Sequence, residues 1–107
     1  MKLQQLHCIC AVAQHDLNVS AAAKKLYTSQ SSVSKQISML EDELAVVLFV
    51  RHGRRFVQIT EAGKAIVAIA EDVLRKMQRI KRIGEAFSKN KLEKQQNSQT
   101  HVFNLID

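Results

Sequence analysis

The sequence predicts a mainly α-helical fold: a winged helix-turn-helix with a short β-hairpin wing, followed by a long dimerisation helix. Three observations support this fold class. Two short amphipathic segments follow each other closely between positions 18 and 44, and two β-prone apolar runs flank a glycine between positions 45 and 60. A long apolar repeat then runs from position 66 to 87. Two short, tightly joined helices are typical of a helix-turn-helix, and the absence of proline agrees with a helical body.

The first helix is predicted over roughly Leu3 to His15 and serves as scaffold. Apolar residues at steps of three and four form its core-facing stripe: Leu3, Leu6, Cys10, Ala13 and Leu17. Cys8 and Cys10 stand two positions apart, so on a helix their side chains point in different directions. We therefore expect them to be packing residues, not a disulfide or a metal-ligand pair.

The helix-turn-helix is predicted over about residues 19–38. Ser20 is expected to cap its first helix, and the three alanines that follow are small enough to let another helix cross at short range. The hydroxyls of Thr28 and Ser29 can accept hydrogen bonds from free backbone N–H groups, so a second helix is expected to begin near Gln30. Its apolar residues fall on one stripe: Val33, Ile37, Leu40 and Leu44.

The opposite face of this second helix carries no bulky apolar side chain. It presents Gln30, Ser31, Ser34, Lys35 and Ser38. Short hydroxyls let a backbone approach base edges closely in a major groove, while Gln30 and Lys35 supply hydrogen-bonding reach. The alternative is an ordinary amphipathic helix with a solvated face. The neighbouring segments favour the groove interpretation.

The wing is predicted at about residues 46–59, with Gly53 taking the positive φ of a tight turn. Its tip carries Arg51, Arg54 and Arg55, which suit phosphates or a narrow minor groove. These arginines could instead balance the acidic cluster at positions 41–43, which lies at an unfavourable helix C-terminus. Both roles are compatible if different arginines take them.

The long helix is predicted over residues 61–87, with Thr60 as N-cap and Glu61 in the first turn. An apolar seam repeats along it at steps of three and four: Ile66, Ile69, Val73, Met77, Ile80, Ile83 and Phe87. Two copies packing together would cover this seam, whereas its N-terminal half is expected to pack in part on its own domain.

Composition limits the function further. The net charge of +6 and the pI near 9.6 favour a polyanionic partner. We find no glycine-rich phosphate loop, nucleophile with a base, or paired carboxylates, so we expect no enzyme and no cofactor or metal. Met1 leads directly into a helix and the longest apolar run is too short to span a bilayer. A cytoplasmic protein without membrane contact is expected.

Several motifs together resemble the N-terminal domain of LysR-type transcriptional regulators. The resemblance covers residues 1 to about 87, and it is carried by Ser20-Ala21-Ala22-Ala23, Leu26, Ser29-Gln30, Ser34, Ile37, Leu40-Glu41, Leu48-Phe49, Arg51, Thr60 and Ala62-Gly63. Within that family, LYTSQ at 26–30, VSKQI at 33–37 and LEDEL at 40–44 are similar to the branch that regulates cysteine biosynthesis and sulfur assimilation.

This resemblance implies a dimer whose second helix-turn-helix helix enters the major groove, whose wing lies over the minor groove and whose long helix is the dimerisation linker. It implies that Ser20 and Lys24 touch phosphates and that Arg51, Arg54 and Arg55 serve the wing. The residues implied to face DNA are Thr28, Ser29, Gln30, Ser31, Ser34 and Lys35, with Gln30 and Lys35 contacting bases.

The chain departs from the family pattern in three places. Ser31 stands where proline is common, at a first-turn position where either residue fits. Ala45 replaces a usual glycine, which costs about 1 kcal/mol if that residue has positive φ. The family continues into an effector-binding domain, whereas residues 88–107 read as a flexible polar tail without it.

The function expected from the sequence is therefore a DNA-binding transcriptional regulator, reduced to its DNA-binding and linker-helix part. It would bind an interrupted palindrome in double-stranded DNA as a homodimer through the linker helix, possible targets being sulfur and cysteine metabolism genes. A different class of function is a dimerisation partner that forms defective heterodimers with a full-length relative. The third alternative is a non-functional gene remnant.

Overall fold

The computed structural model describes the backbone of residues 1–97 and the side chains of residues 1–89. The elements are α1 (Leu3–Gln14), α2 (Val19–Lys25), α3 (Gln30–Leu44), β1 (Phe49–His52), β2 (Arg55–Ile59) and α4 (Glu61–Asn97). The predicted fold class is confirmed: a helix-turn-helix, a two-stranded wing and a long final helix. The chain divides into two units, of which the first is Met1–Leu74 and the second begins at Arg75.

The first unit is built around one apolar core. Every element from α1 to the first turns of α4 contributes buried side chains, the largest being Phe49, Ile9, Ile37, Leu40, Leu48, Val12 and Val33. The predicted stripe of α1 is correct only in part. Leu6 and Cys10 are buried, but Leu3 is 45% exposed, Leu17 lies beyond the helix, and the fully buried Ile9 and Val12 were not in the stripe. Cys8 and Cys10 are both buried in the core, as expected of packing residues, and burial raises the pKa of the Cys8 thiol.

The starts of α2 and α3 are set by side-chain caps. At α3 the prediction is confirmed: Ser29 Oγ accepts a hydrogen bond from the N–H of Ser32 at 3.1 Å. At α2 the prediction that Ser20 is the cap is wrong. Asn18 Oδ1 instead accepts from the N–H of Ala21 at 3.0 Å. Asparagine caps as well as serine does, and starting the helix at Val19 leaves Ser20 inside its first turn.

Three helices, α1, α2 and α3, are each followed within three residues by a left-handed residue that is not glycine, and after α1 these are Asp16 and Leu17. Ala45 has φ 57° at the end of α3, which confirms the conformation expected from the missing glycine. The N–H of Ala45 donates to Asp42 O at 3.3 Å and the N–H of Val46 donates to Glu41 O at 3.2 Å. These bonds satisfy the last carbonyls of the helix. Tyr27 follows α2 with φ 56°.

The wing is an antiparallel hairpin with one irregularity. Phe49 pairs with Ile59 and Arg51 pairs with Phe56, and the register shifts between Val50 and Arg51. Phe56 is buried and Ile59 half-buried although they are three positions apart. In a regular strand, residues at odd spacing face opposite sides, so the extra residue turns both side chains toward the core. The rings of Phe49 and Phe56 stack at a centroid distance of 5.2 Å.

A tight corner connects the wing to α4. Thr60 Oγ1 accepts a hydrogen bond from the N–H of Gly63 at 2.9 Å, so Thr60 caps α4 as predicted. The same hydroxyl donates to Val47 O at 2.6 Å. A Cβ at Gly63 would collide with the carbonyl oxygen of Leu48 and with the side chain of Ile59. Only glycine fits this close approach.

The N-terminal half of the predicted α4 seam packs in part on its own domain, as expected, but the core also takes α4 residues outside the seam. In the first unit Ile66 and Val73 pack against the core, and the deepest α4 residues there are Val67 and Ala70, which the predicted seam does not contain. Ile69 lies exposed. In the second unit Met77 is half-buried, whereas three seam residues are more than half exposed: Ile80, Ile83 and Phe87.

The long helix begins at Glu61, as predicted, but does not end at 87. It continues to Asn97, so residues 88–97, which the sequence analysis assigns to a flexible tail, are helical. Polar residues with good helix propensity, such as lysine, glutamate and glutamine, extend a helix once it is nucleated. The remaining part of the predicted tail, 98–107, lies outside the described residues.

Candidate nucleic-acid interface

The first turns of α3 present a polar surface. Gln30, Ser31 and Lys35 are exposed and Ser34 is half-buried. Ser29 is the N-cap of α3, and its hydroxyl also lies 3.2 Å from Ser31 Oγ. The polar face predicted from the spacing is therefore exposed at the end where α3 begins.

An open groove of about 250 Å³ lies beside this end of α3 and joins it to the wing tip. Four of the predicted site residues line it together, namely Ser20, Gln30, Arg54 and Arg55. The other lining residues are Asp16, Leu17, Asn18, Val19 and Phe56. Residues from α2, α3 and the hairpin, far apart in sequence, thus converge on one surface with two guanidinium groups.

Arg54 and Arg55 are available to a ligand. Gly53 has φ 64°, which confirms the predicted tight turn, and places both arginines at or just after the tip. Both are exposed, and neither side chain forms an ion pair or hydrogen bond with residues 1–89. Guanidinium groups that are exposed and not engaged by neighbouring side chains can bind phosphates bidentately.

Arg51 is held differently from the two arginines at the tip. Its Nη2 lies 2.7 Å from Glu41 Oε1, and its Nη1 donates to Phe49 O at 3.2 Å. The guanidinium carbon also lies 4.6 Å from the centre of the Phe56 ring. The alternative that some arginine balances the acidic cluster therefore applies to Arg51, while Arg54 and Arg55 remain open.

Glu41 is a positioning residue whose pairing with an arginine was expected from the sequence, whereas its hydrogen bonds to the wing backbone were not. Its Oε2 accepts hydrogen bonds from the N–H groups of Leu48 at 2.8 Å and Phe49 at 3.3 Å, at the start of the wing. Burial raises the pKa of this carboxyl, but the hydrogen bond from Arg51, those from the two backbone N–H groups and the positive charge of Arg51 outweigh it. The pKa of Glu41 is therefore lowered. One carboxylate thus joins α3 to the wing.

The remaining predicted contacts lie outside the groove. Lys24 and Thr28 are exposed and do not line it. Asp16 and Asn18 do line it and were not predicted. The available signal for Asn18 was its residue type, because asparagine directly before a helical segment is a strong N-cap candidate.

Among the side chains of residues 1–89, no group of three histidine, cysteine, aspartate or glutamate residues is placed to hold a metal ion. None of the helices described has the length and apolar character needed to cross a membrane.

Comparison with known proteins adds independent evidence. The family model for the bacterial regulatory helix-turn-helix protein, lysR family, matches residues 3–64, more than half of the chain. The chain is 44% identical over 89 residues to the HTH-type transcriptional regulator CysB of Haemophilus influenzae, covering 83% of this chain and 28% of that protein. It is 43% identical over 88 residues to the HTH-type transcriptional regulator cbl of Escherichia coli K12, covering 82% and 28%.

Among solved structures, the CbnR_DBD–DNA complex superposes with a TM-score of 0.72 at 36% identity, covering 80% of this chain and 97% of that chain. The chain spans about 28% of the length of the curated relatives it matches. The family match covers the helix-turn-helix, the wing and the first turn of α4. This chain therefore belongs to the LysR family of bacterial helix-turn-helix regulators.

Proposed function

We propose that this chain binds double-stranded DNA in a sequence-specific manner, as a homodimer on an interrupted palindrome, and thereby regulates transcription. The observation that carries the proposal is the groove in which Gln30 of α3 and the unpaired Arg54 and Arg55 of the wing lie together. A DNA-reading surface needs both kinds of group, because base edges give specificity whereas phosphates fix position.

The roles divide along the surface. Gln30 and Lys35 would read base edges in the major groove, since an amide can bond adenine and an ammonium can bond guanine. Phosphate contacts are assigned to Ser20 and Lys24 on α2 and to Arg54 and Arg55 at the wing tip. The solved complex of the CbnR DNA-binding domain with DNA, a structure of the same fold at 36% identity, supports DNA binding by this fold.

Self-association is assigned to the exposed apolar residues of α4. Ile80, Ile83 and Phe87 follow one another at steps of three and four, so they share one face of the helix. All three are more than half exposed in a single chain. A second copy would bury them, and a two-fold dimer matches the symmetry of a palindromic site.

The target genes proposed are those of cysteine biosynthesis and sulfur assimilation. The support is the resemblance of LYTSQ, VSKQI and LEDEL to that branch of the family, together with the identity of 44% to CysB of Haemophilus influenzae. Both observations concern the region that contains α3, the helix assigned to base reading.

The test is a binding measurement with the purified chain. Fluorescence anisotropy would compare a sulfur-assimilation promoter fragment containing an interrupted palindrome with a scrambled fragment, at two salt concentrations. We expect a preference for the promoter that persists at the higher salt, because base contacts do not depend on counterion release. Equal binding of both fragments, lost steeply with salt, would contradict sequence-specific recognition.

A second candidate function uses the same exposed face of α4. Because Ile80, Ile83 and Phe87 are open in this chain, they could pair with the corresponding helix of a longer relative and form a mixed dimer. Co-expression with a tagged relative followed by affinity capture tests this, and recovery of no mixed dimer would contradict it.

A further inference from the structure

The turn between α2 and α3 contains a tyrosine in an unusual state. Tyr27 is 97% exposed and has φ 56°. Its N–H donates to Lys24 O at 3.2 Å, and the N–H of Thr28 donates to Ala23 O at 3.0 Å. This pattern ends α2 with a left-handed residue, a conformation that suits glycine or asparagine because a tyrosine Cβ is crowded there.

The tyrosine side chain contributes nothing that would explain its place in this turn. With residues 1–89, whose side chains the structure describes, its ring makes no aromatic contact and its hydroxyl makes no hydrogen bond. The two backbone bonds that close α2 would form equally well with asparagine. Among residues 1–97, four non-glycine residues have positive φ: Asp16, Leu17, Tyr27 and Ala45. Tyr27 is the only aromatic one, and its side chain is almost fully exposed. Because strained non-glycine residues concentrate at functional sites, this combination favours a partner outside the chain.

The position of Tyr27 indicates what that partner is. It stands two residues before Ser29, the cap of α3, and three before Gln30. Since consecutive Cα atoms are about 3.8 Å apart, the Tyr27 backbone lies within roughly 11 Å of that of Gln30. A tyrosine joins an apolar ring to a hydroxyl donor, which suits a sugar-phosphate backbone at the edge of a groove.

Resting on the proposed function, we propose that Tyr27 is a DNA contact whose phenolic hydroxyl donates a hydrogen bond to a backbone phosphate beside the bases read by α3. A phosphate is favoured over a base because Tyr27 precedes α3 and lies in the turn, outside the helix assigned to the groove. The strained backbone is retained because the side chain is needed for binding.

Two substitutions test this proposal by separating strain from contact. Tyr27→Phe keeps the ring and the strain but removes the hydroxyl. We expect its affinity to fall about fivefold to tenfold for promoter and scrambled DNA alike, since a phosphate contact carries no sequence information. The salt slope should not change because no cation is lost. Tyr27→Asn relieves the strain, so we expect its Tm to rise by about 4 °C while its affinity falls.

Ala45→Gly is the matched control, because it relieves a left-handed residue at the end of α3, where no DNA contact is assigned. It should raise Tm without changing affinity. Unchanged affinity of Tyr27→Phe for both DNA fragments would overturn the proposal, and so would a loss confined to the promoter, which would indicate a base contact. If the unmodified chain fails to prefer the promoter, the proposed specificity is wrong, but scrambled DNA still tests Tyr27.

Discussion

The guanidinium of Arg51 and the carboxylate of Glu41 meet at 2.7 Å, although one belongs to the wing and the other to α3. The Glu41 side chain is 10% exposed and also accepts the N–H groups of Leu48 and Phe49. The pair therefore fixes the wing against the helix that precedes it. Because Arg54 and Arg55 lie farther along the same hairpin, their place in the groove depends on this pair.

Glu41→Gln should lower the free energy of unfolding by about 2 kcal/mol, because an amide leaves the largely buried bonds to Arg51 and to the two N–H groups partly unsatisfied. Urea unfolding measures the change. Asp42→Asn, one position along and exposed, is the matched control and should have little effect. Equal stability of the Glu41 variant and this control would show that the pair does not hold the wing.

The lowered pKa of Glu41 also predicts how stability changes with pH. A carboxyl whose pKa is lower in the folded state contributes stability that is fully present above its unfolded pKa, about 4.3. That contribution is lost as pH falls from this value through the folded pKa. The difference in unfolding free energy between the unmodified chain and Glu41→Gln should therefore shrink as the pH is lowered below about 4.3. A difference that stays constant with pH would assign the effect to shape and not to charge.

Ala45→Gly should stabilise the chain by about 1 kcal/mol, because glycine adopts the left-handed φ of 57° at the end of α3 without a Cβ penalty. Ala68→Gly makes the same chemical change at an exposed position inside α4. That control should destabilise by about 1 kcal/mol. Thermal unfolding of both variants gives the comparison, and a change of the same sign in both would contradict the assigned role of φ.

Gln30→Ala and Arg54→Ala should weaken DNA binding in different ways. Loss of a base contact at Gln30 should reduce the preference for the promoter by about 1–3 kcal/mol while binding to scrambled DNA is retained. Loss of a phosphate contact at Arg54 should weaken binding to all sequences and reduce the salt slope by about 1. Anisotropy titrations over a salt series measure both. Equal loss for promoter and scrambled DNA with Gln30→Ala would remove it from base reading.

Ile80→Glu should reduce self-association, because it places a charge on the apolar face assigned to the dimer contact. Sedimentation velocity should show a shift from dimer to monomer. The helical circular dichroism signal of the chain should be retained, which would show that the variant is folded. Gln78→Glu adds the same charge at another exposed position of α4 and serves as control. An unchanged dimer in the Ile80 variant would place the contact elsewhere.

Local signals in the sequence were enough for much of the fold. The cap at Ser29, the turn at Gly53 and the cap at Thr60 each follow from one residue type at a punctuated position, and all three are confirmed. The α2 start was missed because asparagine and serine are both strong caps, and only the folded backbone distinguishes Asn18 from Ser20.

Long-range relationships could not be read from spacing. Val67 and Ala70 stand between the seam residues, and which stripe of α4 faces the core depends on the corner at Gly63. The contact of Arg51 with Glu41 is likewise made between two different elements and is not visible in the spacing. Periodicity shows which residues share a face but not which neighbour covers that face.

The burial of Val67 and Ala70 in the first unit has a practical meaning for protein engineering. The DNA-reading fold does not stop where the wing ends, since its core takes side chains from α4 and the compact unit runs to Leu74. A fusion that grafts a foreign sensor directly after residue 60 would leave an apolar surface without its cover. Recombinant regulators built from this chain should therefore be joined beyond Leu74.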